Sequence, residues 1–339
     1  MLFLLLLMSA CRHETAESHQ FTPLYDLGTS TFQGFPGGLY PEGTNEPPLS
    51  HTQAIVTQLS MLQPLNTAGM PDTSGNVVLA GFGYSTAAMT TTAAARLWED
   101  SCSGSALRII SAAQGGMDIN SMLDTPSGYW EKALEQITML GYSAAQVQLV
   151  WLSTGDMQVY DQEFPQQALS QLEKYRKVLQ LLQQHFPNLR LVWVSDRAYG
   201  GYITNKQALP LREPAAYYTS WAVKWLIEQQ ILEQPSFGYQ DIPCIDWGPT
   251  LWTNGAIGDS KGYTWNRSDA DEGGIHPTEA GKWKEGKRLF QFIVNYPGMP
   301  GVAMPFYRSI KAQECIIFQK SSRKKAKVLS VAVYSMIKN

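Results

Sequence analysis

Five short apolar runs, each closing in small or polar residues and each followed by a segment of helical character, govern what this 339-residue chain can fold into. The runs cover 76–82, 106–112, 146–152, 189–194 and 242–247. Helical segments are expected at 51–62, from Ser85-Thr86 toward Glu99, and at 128–140, 166–184, 214–231 and 278–295. Near-continuous apolar runs bounded by turn residues are the mark of strands buried on both faces, and strands alternating with helices imply a parallel sheet covered on both sides. In such sheets ligands bind beyond the carboxyl ends of the strands, so the residues that close each run are the first place to look for chemistry.

Hydrophobic residues make up 44% of the chain, which is enough for a full core. The formal net charge of -3 leaves no global basic field, and a nucleic-acid partner is not expected. Cys11, Cys102, Cys244 and Cys315 stand far apart and lack the close pairs of a zinc or redox motif, so metal binding is not expected. The first ten residues form an apolar run ending Leu7-Met8-Ser9-Ala10 directly before Cys11. It is too short to span a bilayer and resembles the lipobox of bacterial lipoproteins, although no Lys or Arg precedes it. The expectation is an exported protein, periplasmic or at the cell surface, anchored to a membrane through a lipidated Cys11, with 1–10 as signal peptide and 11–30 as tether. Residues 31–50, rich in Gly, Pro, Asn and Thr, read as loop rather than core. A single domain is expected over 31–297. The extension at 298–339 carries the basic run Ser321-Ser322-Arg323-Lys324-Lys325-Ala326-Lys327 and has no assigned role.

Two residues at the strand edge carry the chemistry. Ser85 follows the first run and opens an Ala-rich helix, a position that suits an N-cap and equally a nucleophile beside free backbone N–H groups. His276, one of five histidines, stands in Asp271-Glu272-Gly273-Gly274-Ile275-His276-Pro277-Thr278-Glu279 just before the last helix. It reads either as a solvated residue at an ordinary helix start or as a general base. Asp196-Arg197, closing the fourth run, either orients a polar substrate or forms a structural ion pair.

These residues resemble the SGNH/GDSL hydrolases in block order and spacing over about residues 34–295. Gly83-Tyr84-Ser85 is similar to the first block, Gly115 or Gly116 to the glycine of the second, Ser153-Thr154-Gly155-Asp156 to the third, and Gly273-Gly274-Ile275-His276-Pro277 to the last. The Gly37–Pro41 and Trp247–Pro249 segments look closest to an exported bacterial branch of uncharacterised members. Together with the alternation of strands and helices, the resemblance implies a three-layer α/β/α flavodoxin-like sandwich with a central parallel sheet of about five strands. It implies hydrolysis of a carboxylic ester, a small molecule or an O-acetyl group on a saccharide, through an acyl-enzyme on Ser85 with His276 as base and with no metal or organic cofactor required. Oxyanion donors would be the N–H of Ser85, that of Gly115 or Gly116, and a group after the third strand, at Thr154 or Asp156.

The chain departs from the family at three places. Tyr84 stands for the first-block aspartate, Gly155 or Asp156 for the asparagine, and Gly273 for the aspartate three before the histidine. The preferred support for His276 is therefore Glu272, with Asp271 as the alternative, a Ser-His dyad as a further one, and lost catalysis as the last. In that case the cleft would bind glycan or cell-wall material. A nucleotide or flavin binder would want a phosphate loop after the first strand, of which Gly83-Tyr84-Ser85-Thr86 is a weak version. Trp247 and Trp252, with Tyr263 and Trp265, offer an aromatic platform for a sugar ring, against the alternative of core packing.

Overall fold

A computed structural model of the protein describes residues 21–102, 104–159 and 162–297. Cys11 and the expected signal peptide, most of the tether and the C-terminal extension lie outside these residues. In chain order the elements are α1 (Leu24–Leu27), β1 (Thr31–Phe32), β2 (Phe35–Pro36), α2 (Leu49–Ser60), β3 (Val77–Gly83), α3 (Ser85–Cys102), β4 (Leu107–Ser111), α4 (Ile119–Leu123), α5 (Tyr129–Met139), β5 (Val147–Ser153), α6 (Gln166–His185), β6 (Leu191–Val194), α7 (Ala215–Ile231), β7 (Cys244–Trp247) and α8 (Glu279–Asn295). β1 and β2 form a small antiparallel ribbon, while the other five strands build one parallel sheet in the order β4-β3-β5-β6-β7. This is the three-layer sandwich expected from the strand-helix alternation. The chain leaves β3 to one side for β4 and returns to its other side for β5, so the topological switch point lies between β3 and β5.

Side chains alternate across the sheet. Val78, Ala80 and Phe82 of β3 join Val192 and Val194 of β6 in a core closed by α5, α6 and α7. Val77 and Leu79, with Trp151 and Trp193, face the opposite layer of α2, α3 and α8. The alternation slips once: Val78 pairs with Val147 and Leu79 with Leu149, so Gln148 is an extra residue in β5. Its amide bonds the backbone of Gln63, with Nε2 donating to the carbonyl at 2.8 Å and Oε1 accepting from the N–H at 3.2 Å. A buried polar residue inside an apolar strand is thereby satisfied.

α3 and α8 pack closely because both are small where they meet: a Cβ added to Gly286 would lie 2.4 Å from the Cβ of Ala93. The Thr90 hydroxyl donates to Glu285 Oε2 at 2.6 Å across the same seam.

Two sequence expectations are corrected. The tether expected over 11–30 does not extend through 21–30, because Leu24 is buried and Phe21 packs on Phe32 and Tyr217 at ring separations of 5.8 and 4.9 Å. Nor is 31–50 mere loop: Phe32, Leu39 and Tyr40 are buried. The Trp247 indole donates to the Leu39 carbonyl at 2.6 Å, Lys224 Nζ to the Tyr40 carbonyl at 2.9 Å, and the Tyr40 hydroxyl to Asp246 at 2.8 Å. Glycine and proline punctuation marks the irregular path of this segment, while its few aromatic and aliphatic residues supply the burial.

Candidate active site

Ser85 is the first residue of α3, delivered to the carboxyl edge of the sheet by the end of β3 at the switch point. The turn into it needs glycine. Gly83 has φ +138°, and a Cβ there would lie 1.9 Å from the Ser153 carbonyl oxygen of the neighbouring strand. The Tyr129 hydroxyl holds the same peptide, accepting from Gly83 N–H and donating to its carbonyl, each at 3.0 Å. As the start of a helix, Ser85 has backbone N–H groups around it that the helix itself does not satisfy.

His276 arrives from the other end of the chain, just before α8. Thr278 caps that helix by accepting from the Gly281 N–H at 3.3 Å, and its own N–H donates to Asp269 at 2.8 Å. The seam between α3 and α8 sets their first turns side by side, and Ser85 Oγ lies 2.8 Å from His276 Nε2. The preceding loop closes on itself: Asp271 N–H donates to the His276 carbonyl at 2.7 Å, and Asp271 Oδ1 accepts from the Ile275 N–H at 3.0 Å. Its other oxygen, Oδ2, then lies 3.5 Å from His276 Nδ1, within ion-pair range but longer than a formed hydrogen bond.

This geometry corrects the choice of Glu272. The Gly273-Gly274 turn, with Gly274 at φ +74°, folds the loop so that the residue five before the histidine faces the ring. Glu272 is exposed, and its carbonyl is taken by Arg267 Nη2 at 2.8 Å.

Gly116 lines the cleft beside Ser85, and a Cβ on Gly115 would lie 4.0 Å from the Ser85 Cβ. Neither glycine N–H is taken by an acceptor among the described residues. The two positions expected after β5 behave differently. Thr154 is fully buried and does not line the cleft; its hydroxyl has no hydrogen-bond partner among the described residues, and its carbonyl accepts from the Tyr175 hydroxyl at 2.6 Å. Asp156 is buried and turned into a polar knot, 2.5 Å from Lys174 Nζ and 2.8 Å from Asn120 Nδ2. Burial pushes its carboxyl up, but the hydrogen bonds from Lys174, Asn120 and the Gln158 N–H outweigh it and hold the group below the usual carboxylate range. Asp156 is thus a paired carboxylate that ties the β5 loop to α4 and α6, and neither residue is placed as an oxyanion donor.

The aromatic platform is likewise corrected. Trp247 and Trp252 are buried, the latter donating its indole N–H to Glu213 at 3.1 Å, and neither lines the cleft of Ser85 and His276. The cleft, of about 290 Å³, is walled instead by Met157, Arg197, Asn205, Ala208, Leu211 and Ile275. The 200–211 contribution carries no motif, and only the polar pair Asp196-Arg197 at the end of β6 signalled it. That pair is not an ion pair: Asp196 accepts from the N–H groups of Leu251 and Trp252 and from the Ser220 hydroxyl, and burial pushes it up to about 6.

Among the described residues no three His, Cys, Asp or Glu side chains are grouped to hold a metal ion, and no helix is long and apolar enough to cross a membrane. The chain matches no protein-family model and no curated protein.

Proposed function

We propose that the protein is a serine hydrolase of the SGNH/GDSL type, cleaving a carboxylic ester through an acyl-enzyme on Ser85. The observation that carries this reading is the 2.8 Å contact between Ser85 Oγ and His276 Nε2, made across 191 residues of chain at the switch point of the sheet. A serine hydroxyl is a weak nucleophile until a base takes its proton, and an imidazole within hydrogen-bond reach is such a base. With Nδ1–H directed at Asp271, Nε2 is left as the acceptor. His276 takes the Ser85 proton as Oγ attacks the carbonyl carbon, then returns it to the departing alcohol. Water repeats the sequence and frees the acid.

Asp271 holds the ring and offsets the imidazolium charge. The carbonyl oxygen, charged in the tetrahedral intermediate, is received by the N–H groups of Ser85 and of Gly116 or Gly115. Export and lipidation at Cys11 belong to the same proposal, as does an acetylated saccharide among the candidate substrates.

A fluorophosphonate probe tests the reading. Purified protein should be labelled covalently, and Ser85→Ala, with an unchanged melting temperature, should not. Folded wild-type protein that takes no label would sink the hydrolase and leave a binding cleft.

A further inference from the structure

Arg197 follows β6 and is only 6% exposed, yet it lines the cleft that holds Ser85 and His276. One guanidinium nitrogen donates to the Leu211 carbonyl at 2.9 Å, and Nε has no hydrogen-bond partner among the described residues. No described carboxylate comes within 4.0 Å of it. Its sequence neighbour Asp196 points away and is fully occupied. Where the resembled family carries an aspartate, this chain presents the Tyr84 ring, 6.0 Å from the guanidinium carbon, which offers a π face and no counter-charge. A guanidinium does not shed its proton, so a nearly buried one with no carboxylate in contact is unfavourable unless something else completes it.

Two carboxylates stand beyond contact range, Glu285 on the wall of a small cavity that Arg197 also lines. Glu213 accepts from the Gly200 and Tyr217 N–H groups and the Trp252 indole, and Glu285 accepts from Thr90. Burial pushes both up, Glu285 to about 7, while the charge of Arg197 pulls both the other way, so the two carboxyls feel the guanidinium without touching it.

We propose that Arg197 is an anion-binding subsite of the catalytic cleft, and that the ester turned over at Ser85 carries a carboxylate that this guanidinium receives. The proposal rests on the serine-hydrolase reading. With Nε shut off from the cleft and one terminal nitrogen on Leu211, the other terminal nitrogen is the donor a substrate carboxylate can meet, and the low exposure keeps competing water and salt away from the pair.

The test uses two matched ester pairs on the full chain, each normalised to its hydroxide-catalysed rate. 4-Nitrophenyl hydrogen glutarate against 4-nitrophenyl valerate places the charge on the acyl side. 4-Acetoxybenzoate against its methyl ester places it on the alcohol side. Wild-type kcat/KM should favour the anionic member of one pair by about tenfold or more, and which pair responds identifies the side. Arg197→Gln should lower kcat/KM for that anionic ester at least about tenfold more than for its neutral partner. Equal rates in both pairs, or an equal fall for both members in the variant, overturns the subsite. The wild-type comparison stands even if the variant does not fold.

Should wild-type protein take no fluorophosphonate label, the hydrolase reading fails separately. Saturation-transfer NMR with monomethyl glutarate then decides the subsite: binding supports it, and no binding overturns it.

Discussion

At the scale of single residues, the three members of the proposed relay differ in how tightly they are held. Ser85 and His276 are in hydrogen-bond contact, whereas Asp271 stands 3.5 Å from the ring with its side chain 41% exposed. Asp271→Asn keeps an oxygen for the Ile275 N–H but loses the charge facing the ring. Steady-state kinetics on a neutral ester should show kcat falling about 10²-fold. Glu272→Gln, altering an exposed side chain, should leave kcat within about twofold, and the reverse ranking would restore Glu272 as the supporting carboxylate. Glu285 carries a pH signature of another kind. Its folded-state pKa is raised by burial from 4.5 to about 7, so the folded protein holds that proton more tightly than the unfolded chain. The resulting stability is fully present below about pH 4.5 and is lost as pH rises through about 7. Glu285→Gln keeps an acceptor for Thr90 and never ionises, so its stability relative to wild type should rise by about 1–3 kcal/mol between about pH 5 and about pH 8, read by urea denaturation.

At the scale of elements, two glycines fix where the reacting groups meet. Gly83 permits the turn from β3 into α3, and Gly286 lets α8 close against α3. Gly83→Ala combines a left-handed φ with overlap of the Ser153 carbonyl, and should cost about 2–3 kcal/mol in denaturant titration while slowing probe labelling of Ser85. Much at this scale could be read from the chain. All five sheet strands and the six long helices fall within a few residues of their expected places, because each apolar run is short, bounded by turn residues and buried on both faces. What escaped were features set by tertiary partners. Gln148 is an extra residue whose pairing with Gln63 lies 85 positions away, Asp271 reaches His276 only through a loop closed on its own backbone, and Trp252 serves the core because Glu213 waits for its indole. Local pattern reports which residues can be buried; it does not report which loop carboxylate a double-glycine turn will aim at an imidazole.

At the scale of the whole molecule, the described chain starts on the core and ends beside it. Leu24 is inserted among buried residues and Phe21 packs against the Tyr217 ring of α7, so residues 21–30 belong to the same cooperative unit as the sheet. Leu24→Ala should lower unfolding free energy by about 2–5 kcal/mol without changing the m-value, whereas a separately folding segment would change neither. Ser85 and His276 lie 191 residues apart in sequence. At translation rates of about 5–20 residues per second, the hydroxyl leaves the ribosome about 10–40 s before the imidazole that would activate it. Through that interval the nascent chain carries a serine at a helix tip and nothing to take its proton. On the proposed function, a polypeptide cut short before His276 would carry the nucleophile without its base, and reactivity toward esters would appear only once the last helix has been made.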